Sequence, residues 1–131
     1  MKTLQLYKLP KLLIIQLKRF AQTHKKTQVQ NVEYTTVYQE KIDSPINFPL
    51  SDFDVRPYVL TLKKAENPVL YDLFGVSNHF GNLNGGHYTA FVRNFLSKKW
   101  HCMNDSQCAE ISEDQVVTPA AYLLFYQRRE E

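Results

Sequence analysis

The chain has 131 residues, a length that suits one domain or a large piece of a bigger one. With 44% hydrophobic and 13% aromatic residues it carries enough apolar side chain for a packed core, which argues against disorder. Its formal net charge of +3 comes from basic residues scattered in doublets such as Lys18-Arg19, Lys25-Lys26 and Lys98-Lys99, a solvated-surface pattern that argues against nucleic acid as a partner.

At the start, "MKTLQLYKLPKLLIIQL" sets lysines before an apolar stretch, but Pro10 interrupts it and "QLKRF" stands where a small-residue cleavage site would fall. No apolar run approaches the roughly 20 residues that cross a bilayer, so neither a signal peptide nor a membrane is expected. Two cysteines, Cys102 and Cys108, form no disulfide framework or zinc spacing by themselves, and an intracellular, reduced protein is the expectation. Residues 11–20, "KLLIIQLKRF", form a short continuous apolar run, which predicts a strand buried on both faces. Residues 21–44 turn to Gln, Thr and Lys around "VEYTTVY" and read as a long surface excursion with the character of a hairpin.

"SPINFPLSDFDVRPY" holds three prolines, which forbid a regular helix through it. Ile46, Phe48, Leu50 and Phe53 are its expected anchors to the core. "KKAENP" reads as a turn. From Leu70 onward the pattern is nearly all strand: "LYDLFGVSNHF", "GHYTAFVRNF", "KKWHCMN" and "AAYLLFYQRR", separated by turn residues. One short helical turn is expected at "SEDQVV", with Ser112 as its cap and Glu113 and Asp114 in its first turn. The expected architecture is an antiparallel sheet with little helix.

Three of the four glycines fall in "GNLNGGH", just ahead of His87. Alternation along "GHYTAFVRNF" puts His87, Thr89 and Phe91 on one face and Tyr88, Ala90 and Val92 on the other. His87 thus opens a strand directly after a glycine turn, where a rigid element holds the ring and the loop leaves it reachable. Glycine before it lets another backbone approach closely. A catalytic histidine needs an acceptor for its Nδ1–H to fix tautomer and orientation. If "KKWHCMND" returns as a hairpin, Asn104 and Asp105 come back beside His87. Asn suffices as the orienter when the nucleophile is a cysteine, because the thiolate already stabilises the charged ring. A histidine beside such a turn equally suits a plain turn residue, and "ND" is a common turn pair.

"YDLFGVSNHFGNLNGGHYTAFVRN", "WHCMNDSQCAEI" and "AAYLLFYQR" together resemble the histidine box and C-terminal end of the ubiquitin-specific proteases. "LYKLPKLLIIQLKRF" and "INFPLSDFDVRPYV" resemble that family's "LP…L…LKRF" and "FP…LDL…Y" segments. The resemblance covers nearly the whole chain apart from residues 21–44. It implies the α+β, papain-like cysteine protease fold, of which residues 1–131 are the mainly antiparallel, palm-like C-terminal portion and 21–44 a surface insertion. His87 matches the family's general base and Asn104 its third triad member. Asp105 matches the acidic residue assisting polar contacts near the oxyanion. Gly85, Gly86 and Tyr88 match the passage for the Gly-Gly tail of ubiquitin. Met103 and Gln16 depart from the family's usual residues, away from the triad positions.

No Gly-Asn-Thr-Cys box occurs here, and a buried, inert thiol is the expectation for both Cys102 and Cys108. The resemblance therefore implies part of a thiol-dependent deubiquitinase whose nucleophile lies upstream, with no cofactor. Its implied partners are ubiquitin, ubiquitinated proteins and the N-terminal part of the catalytic domain. Self-association of the isolated chain is expected from an apolar face left bare. The alternative is an inactive ubiquitin- or partner-binding module. A metal site built from His79, His87, His101 and Cys102 lacks zinc-like spacing.

Overall fold

The computed structural model describes residues 1–60 and 68–130; the turn expected at "KKAENP" lies almost wholly outside them. Nine strands account for most of the described chain. They are β1 (Leu12–Gln16), β2 (Phe20–Val29), β3 (Val32–Lys41), β4 (Phe53–Asp54), β5 (Leu70–Gly81), β6 (Gly86–Arg93), β7 (Trp100–Asn104), β8 (Gln107–Ile111) and β9 (Ala121–Arg128). Among the described residues the only helical pieces are single 3-10 turns at Arg56–Tyr58 and Glu113–Gln115. No helix among them is long and apolar enough to cross a membrane.

The main sheet runs β1-β9-β5-β6-β7-β8, and β4 also pairs with β5, where Phe53 meets Tyr71 beyond the reach of β6. Every pairing between named strands is antiparallel. Residues opposite one another share a face, so the registers trace rows across the sheet. One row is Ile15, Leu124, Val76, Phe91, Cys102 and Ala109. This inner face meets Phe48, Val55, Val59, Trp100 and Val116 to make the core. Tyr126 donates its hydroxyl to the carbonyl of Pro49 at 2.8 Å, clamping the proline-rich segment over that face.

The other face is less covered. Its rows hold Ile14, Phe125, Gly75 and Val92, then Gln16, Leu123, Ser77, Ala90 and Met103. This corrects the reading of the first strand. β1 is a sheet edge with only its inner face buried, so Leu13 and Ile15 pack inward while Leu12 and Ile14 stay 58% and 59% exposed. Ile46 is corrected too, being 39% exposed, whereas Phe48, Leu50 and Phe53 do anchor their segment.

β2 and β3 form a two-stranded ribbon of their own, almost wholly exposed beyond its root. The turn residues Gln30 and Asn31 both take positive φ, 53° and 65°, the left-handed pair that matches a two-residue hairpin to strand twist. At the "SEDQVV" turn, the Gln115 side chain accepts from the Ser112 backbone N–H at 2.9 Å, one half of a capping box.

Candidate active site

The site lies where β5, β6 and β7 end together. Gly81 pairs with Gly86 and Phe80 with His87, closing the "GNLNGG" loop. Asn82 shapes that loop: its Oδ1 accepts the N–H groups of Asn84 at 3.1 Å and Gly85 at 2.8 Å, and its own N–H donates to the Gly85 carbonyl at 3.2 Å. Gly81 needs its residue type, with φ of 97°.

The β6–β7 register ends at Ala90 opposite Met103, and continuing it by one residue brings Thr89 level with Asn104. His87 stands one step further along the same face, diagonal to Asn104. The two side chains meet: His87 Nε2 lies 2.7 Å from Asn104 Oδ1. An amide oxygen only accepts, so Nε2 is the donor in this bond. The expected adjacency is present, but the orienting bond uses Nε2 and not Nδ1. Nδ1, on the other edge of the ring, takes no part in this bond. Below this pair Asn78, fully buried, donates from Nδ2 to Thr89 Oγ1 at 3.3 Å.

Asp105 is exposed at the first turn residue after β7, with φ of 51°. Tyr88 is exposed on the face opposite His87. Gly85 borders open space: a Cβ placed there would have Asn82 Oδ1, at 3.9 Å, as its nearest neighbour. At Gly86 a Cβ would overlap His79 Nε2 and fall 2.7 Å from the Phe80 carbonyl oxygen. The chain's own His79 thus occupies the space that glycine leaves there. An open cleft of about 540 Å³ adjoins, walled by Lys41, Asp43, His79, Phe80, Phe91 and Pro119 among others.

Neither thiol lies in a uniformly buried setting. Cys102 is half-buried on the inner face, and Cys108 is exposed because β8 is an edge strand, which corrects the expectation of a buried thiol there. Among the described residues no three His, Cys, Asp or Glu side chains are grouped to hold a metal ion.

Sequence reasoning read Arg19 as part of a solvated surface doublet, weighed His79 only for a metal site and gave Lys41 no role; the structure corrects the first by burying Arg19. Arg19 is 2% exposed; its Nε donates to the Ala121 carbonyl at 2.9 Å and its Nη1 to those of Ile42 at 3.2 Å and Ser44 at 2.6 Å. It ties the ribbon root to the start of β9. Lys41 Nζ donates to the His79 carbonyl at 2.9 Å. His79 is buried, and burial first, then the Lys41 charge, lower its pKa against an opposing pull from Asp43.

The family model for ubiquitin carboxyl-terminal hydrolase matches residues 2–126. The chain belongs to the ubiquitin carboxyl-terminal hydrolase family. It is 40% identical over 130 residues to ubiquitin carboxyl-terminal hydrolase 4 of Rattus norvegicus, covering 99% of this chain and 12% of that protein. To ubiquitin carboxyl-terminal hydrolase 12 of Saccharomyces cerevisiae it is 41% identical over 128 residues, covering 98% of this chain and 9% of the relative. The fold is similar to a chain of the Ubp8/Sgf11/Sus1/Sgf73 SAGA DUB module solved with monoubiquitin, at TM-score 0.75 and 33% identity. That match covers 96% of this chain and 25% of the other. The antiparallel sheet with almost no helix is the palm-like part of the papain-like fold of this family. The chain spans about an eighth of the length of the rat relative and a quarter of the solved one.

Proposed function

We propose that this chain is the base-bearing part of a thiol-dependent deubiquitinase that hydrolyses the peptide or isopeptide bond at the C-terminal glycine of ubiquitin. The observation that carries the reading is the 2.7 Å bond between His87 Nε2 and Asn104 Oδ1 in a member of this family. Asn104 holds the ring so that Nδ1 takes the proton of a cysteine thiol supplied from outside this sequence. The thiolate sulfur adds to the glycine carbonyl, and the tetrahedral intermediate expels the amine, which takes the proton back from His87. Water then attacks the thioester with His87 as base again, releasing the ubiquitin carboxylate and the thiol.

In this reading Asp105 supports polar contacts near the oxyanion, and Gly85, Gly86 and Tyr88 line the path of the Gly-Gly tail. Residues 1–131 are the C-terminal portion of the catalytic domain, with 21–44 a surface insertion. The rest of that domain is the chain's first partner and ubiquitin its second. The half-covered sheet face that carries Leu12, Ile14, Val92 and Met103 supports a need for further protein. The solved relative bound to monoubiquitin supports the choice of substrate.

The test joins the chain to the cysteine-bearing part of a relative's catalytic domain and follows cleavage of a ubiquitin–fluorophore amide. His87→Ala is expected to lower kcat by on the order of 10²–10⁴-fold, and Asn104→Ala by less, because the Cys–His pair still forms. Near-normal turnover by His87→Ala would sink the assignment. Tight ubiquitin binding without cleavage by the unmutated hybrid would move the chain to a binding module.

A further inference from the structure

Why is the residue before His87 a glycine? The structure answers with His79. Its Nε2–Cε1 edge fills the volume that a Gly86 side chain would take, with Nε2 overlapping an ideal Cβ there and Cε1 3.0 Å from it. The ring is 3% exposed and lies on the face of Tyr88, opposite to the face from which His87 projects.

Three aromatic rings pack on the His79 ring, and it also lines the open cleft. Tyr88, its register partner, packs with centroids 4.8 Å apart, Phe20 meets it edge-on at 5.5 Å and Tyr122 at 6.1 Å. Its backbone is fixed on both sides of the Cα. The N–H donates to the Ala120 carbonyl at 2.9 Å, and the carbonyl accepts from Lys41 Nζ at 2.9 Å. Packing on three rings restrains this side chain, and it therefore opposes sagging of the Gly85–Gly86 backbone toward that face. Gly86 is bonded to His87, and any shift of its Cα swings the His87 Cα–Cβ direction. A bond of 2.7 Å to Asn104 has little room for that, since a displacement near 1 Å exceeds hydrogen-bond reach.

We propose that His79 is a positioning residue, a flat buried brace under the Gly85–Gly86 turn that keeps the His87 ring aimed at Asn104. The functional meaning of this brace rests on the reading of His87 as the base, but its geometry does not. A flat edge suits the place: a branched aliphatic side chain of similar volume would push Gly86 away, and a small one would leave a void beneath it. The burial that disfavours the charged ring also favours shape over charge as its contribution.

The experiment uses this chain labelled with 15N-histidine and reads the ring-nitrogen shifts of His87. The unmutated chain is expected to show one fixed tautomer, hydrogen on Nε2. In His79→Ala the two His87 ring-nitrogen shifts should converge toward the averaged pair of a free imidazole. In His79→Phe, which restores a flat ring edge, they should stay apart. An unchanged His87 tautomer in folded His79→Ala would overturn the brace. If His79→Ala does not fold, His79→Leu and His79→Phe decide: a fixed tautomer with Phe and an averaged one with Leu supports it, and any other result overturns it. No nucleophile or substrate enters this readout. A hybrid enzyme indifferent to His87→Ala would defeat the proposed function and leave the brace standing.

Discussion

Gly85 and Gly86 are neighbours in sequence and match one passage of the family, yet the structure predicts opposite responses to the same methyl group. At Gly86 the added Cβ meets two atoms inside 3.0 Å, and neither yields easily: the Phe80 carbonyl belongs to the β5 backbone, and the His79 ring is packed among three aromatic rings. Overpacking of this kind costs about 1–3 kcal/mol. At Gly85 the nearest atom is 3.9 Å away and φ is not positive, so Ala fits. There it restricts the unfolded chain and should stabilise by about 0.4–1 kcal/mol. The two variants should thus differ by roughly 2 kcal/mol or more, close to a 30-fold ratio of unfolding constants. Urea unfolding followed by fluorescence checks this, because Trp100 is the only tryptophan and is buried. Equal midpoints for the two variants, or a costlier Gly85→Ala, would refute the reasoning. The same pair serves the functional question: ubiquitin binding lost in a stably folded Gly85→Ala variant reports on the substrate path and not on the fold.

Arg19→Met should destabilise by about 3 kcal/mol, because it leaves the carbonyls of Ala121, Ile42 and Ser44 without their charged donor; a thermal scan within about 0.5 kcal/mol of the unmutated chain would dismiss the anchor. Stability should also depend on pH through His79. Its folded pKa lies below the ordinary 6.5, so as pH falls through that value the unfolded chain binds a proton that the folded ring refuses, and stability drops until the folded pKa is passed. The charges facing the ring are Lys41 and Asp43, with the Tyr88 and Tyr122 rings packed on it. Asp54 and Asp72, whose arginine partners hold them below 3.8, contribute only in a lower window. Urea midpoints at about pH 7.5 and about pH 5.5 should therefore converge in His79→Phe; an unchanged slope would assign the effect elsewhere.

The strands that carry the site were legible because β5, β6 and β9 are rich in aromatic and aliphatic residues and β7 opens on Trp100, and the β6–β7 hairpin follows from two strand-like runs joined by a turn. That hairpin is enough to bring His87 and Asn104 together, since their faces and ends follow from period and length. β8 was missed because "QCAEI" is short, carries a single large apolar residue at its end and lies exposed on an edge, so no alternation marks it. The apolar run in β1 suggested burial on both faces, but composition reports what a strand can bury, and only one side of this one is covered. The choice of Nε2 over Nδ1 was out of reach, for it depends on how the ring sits diagonally to its partner. The anchoring by Arg19 and Lys41 was out of reach for a related reason: the bonds that do it run to backbone carbonyls, which every residue has.

These silent residues explain how an exposed ribbon and a precise site share one frame. A two-stranded ribbon is marginal by itself in water, and β2–β3 buries little beyond its root. Its first rung, Phe20 opposite Lys41, is where that changes. Phe20 packs on the His79 ring, Lys41 bonds the His79 carbonyl, and Arg19 joins the adjoining backbone to Ala121. The ribbon is therefore fastened at the strand position that, through Gly86, sets the direction of His87. Loosening either member of that first rung acts on the site before it acts on the core, because Tyr71, Leu73, Val76 and Tyr126 pack around the other end of β5.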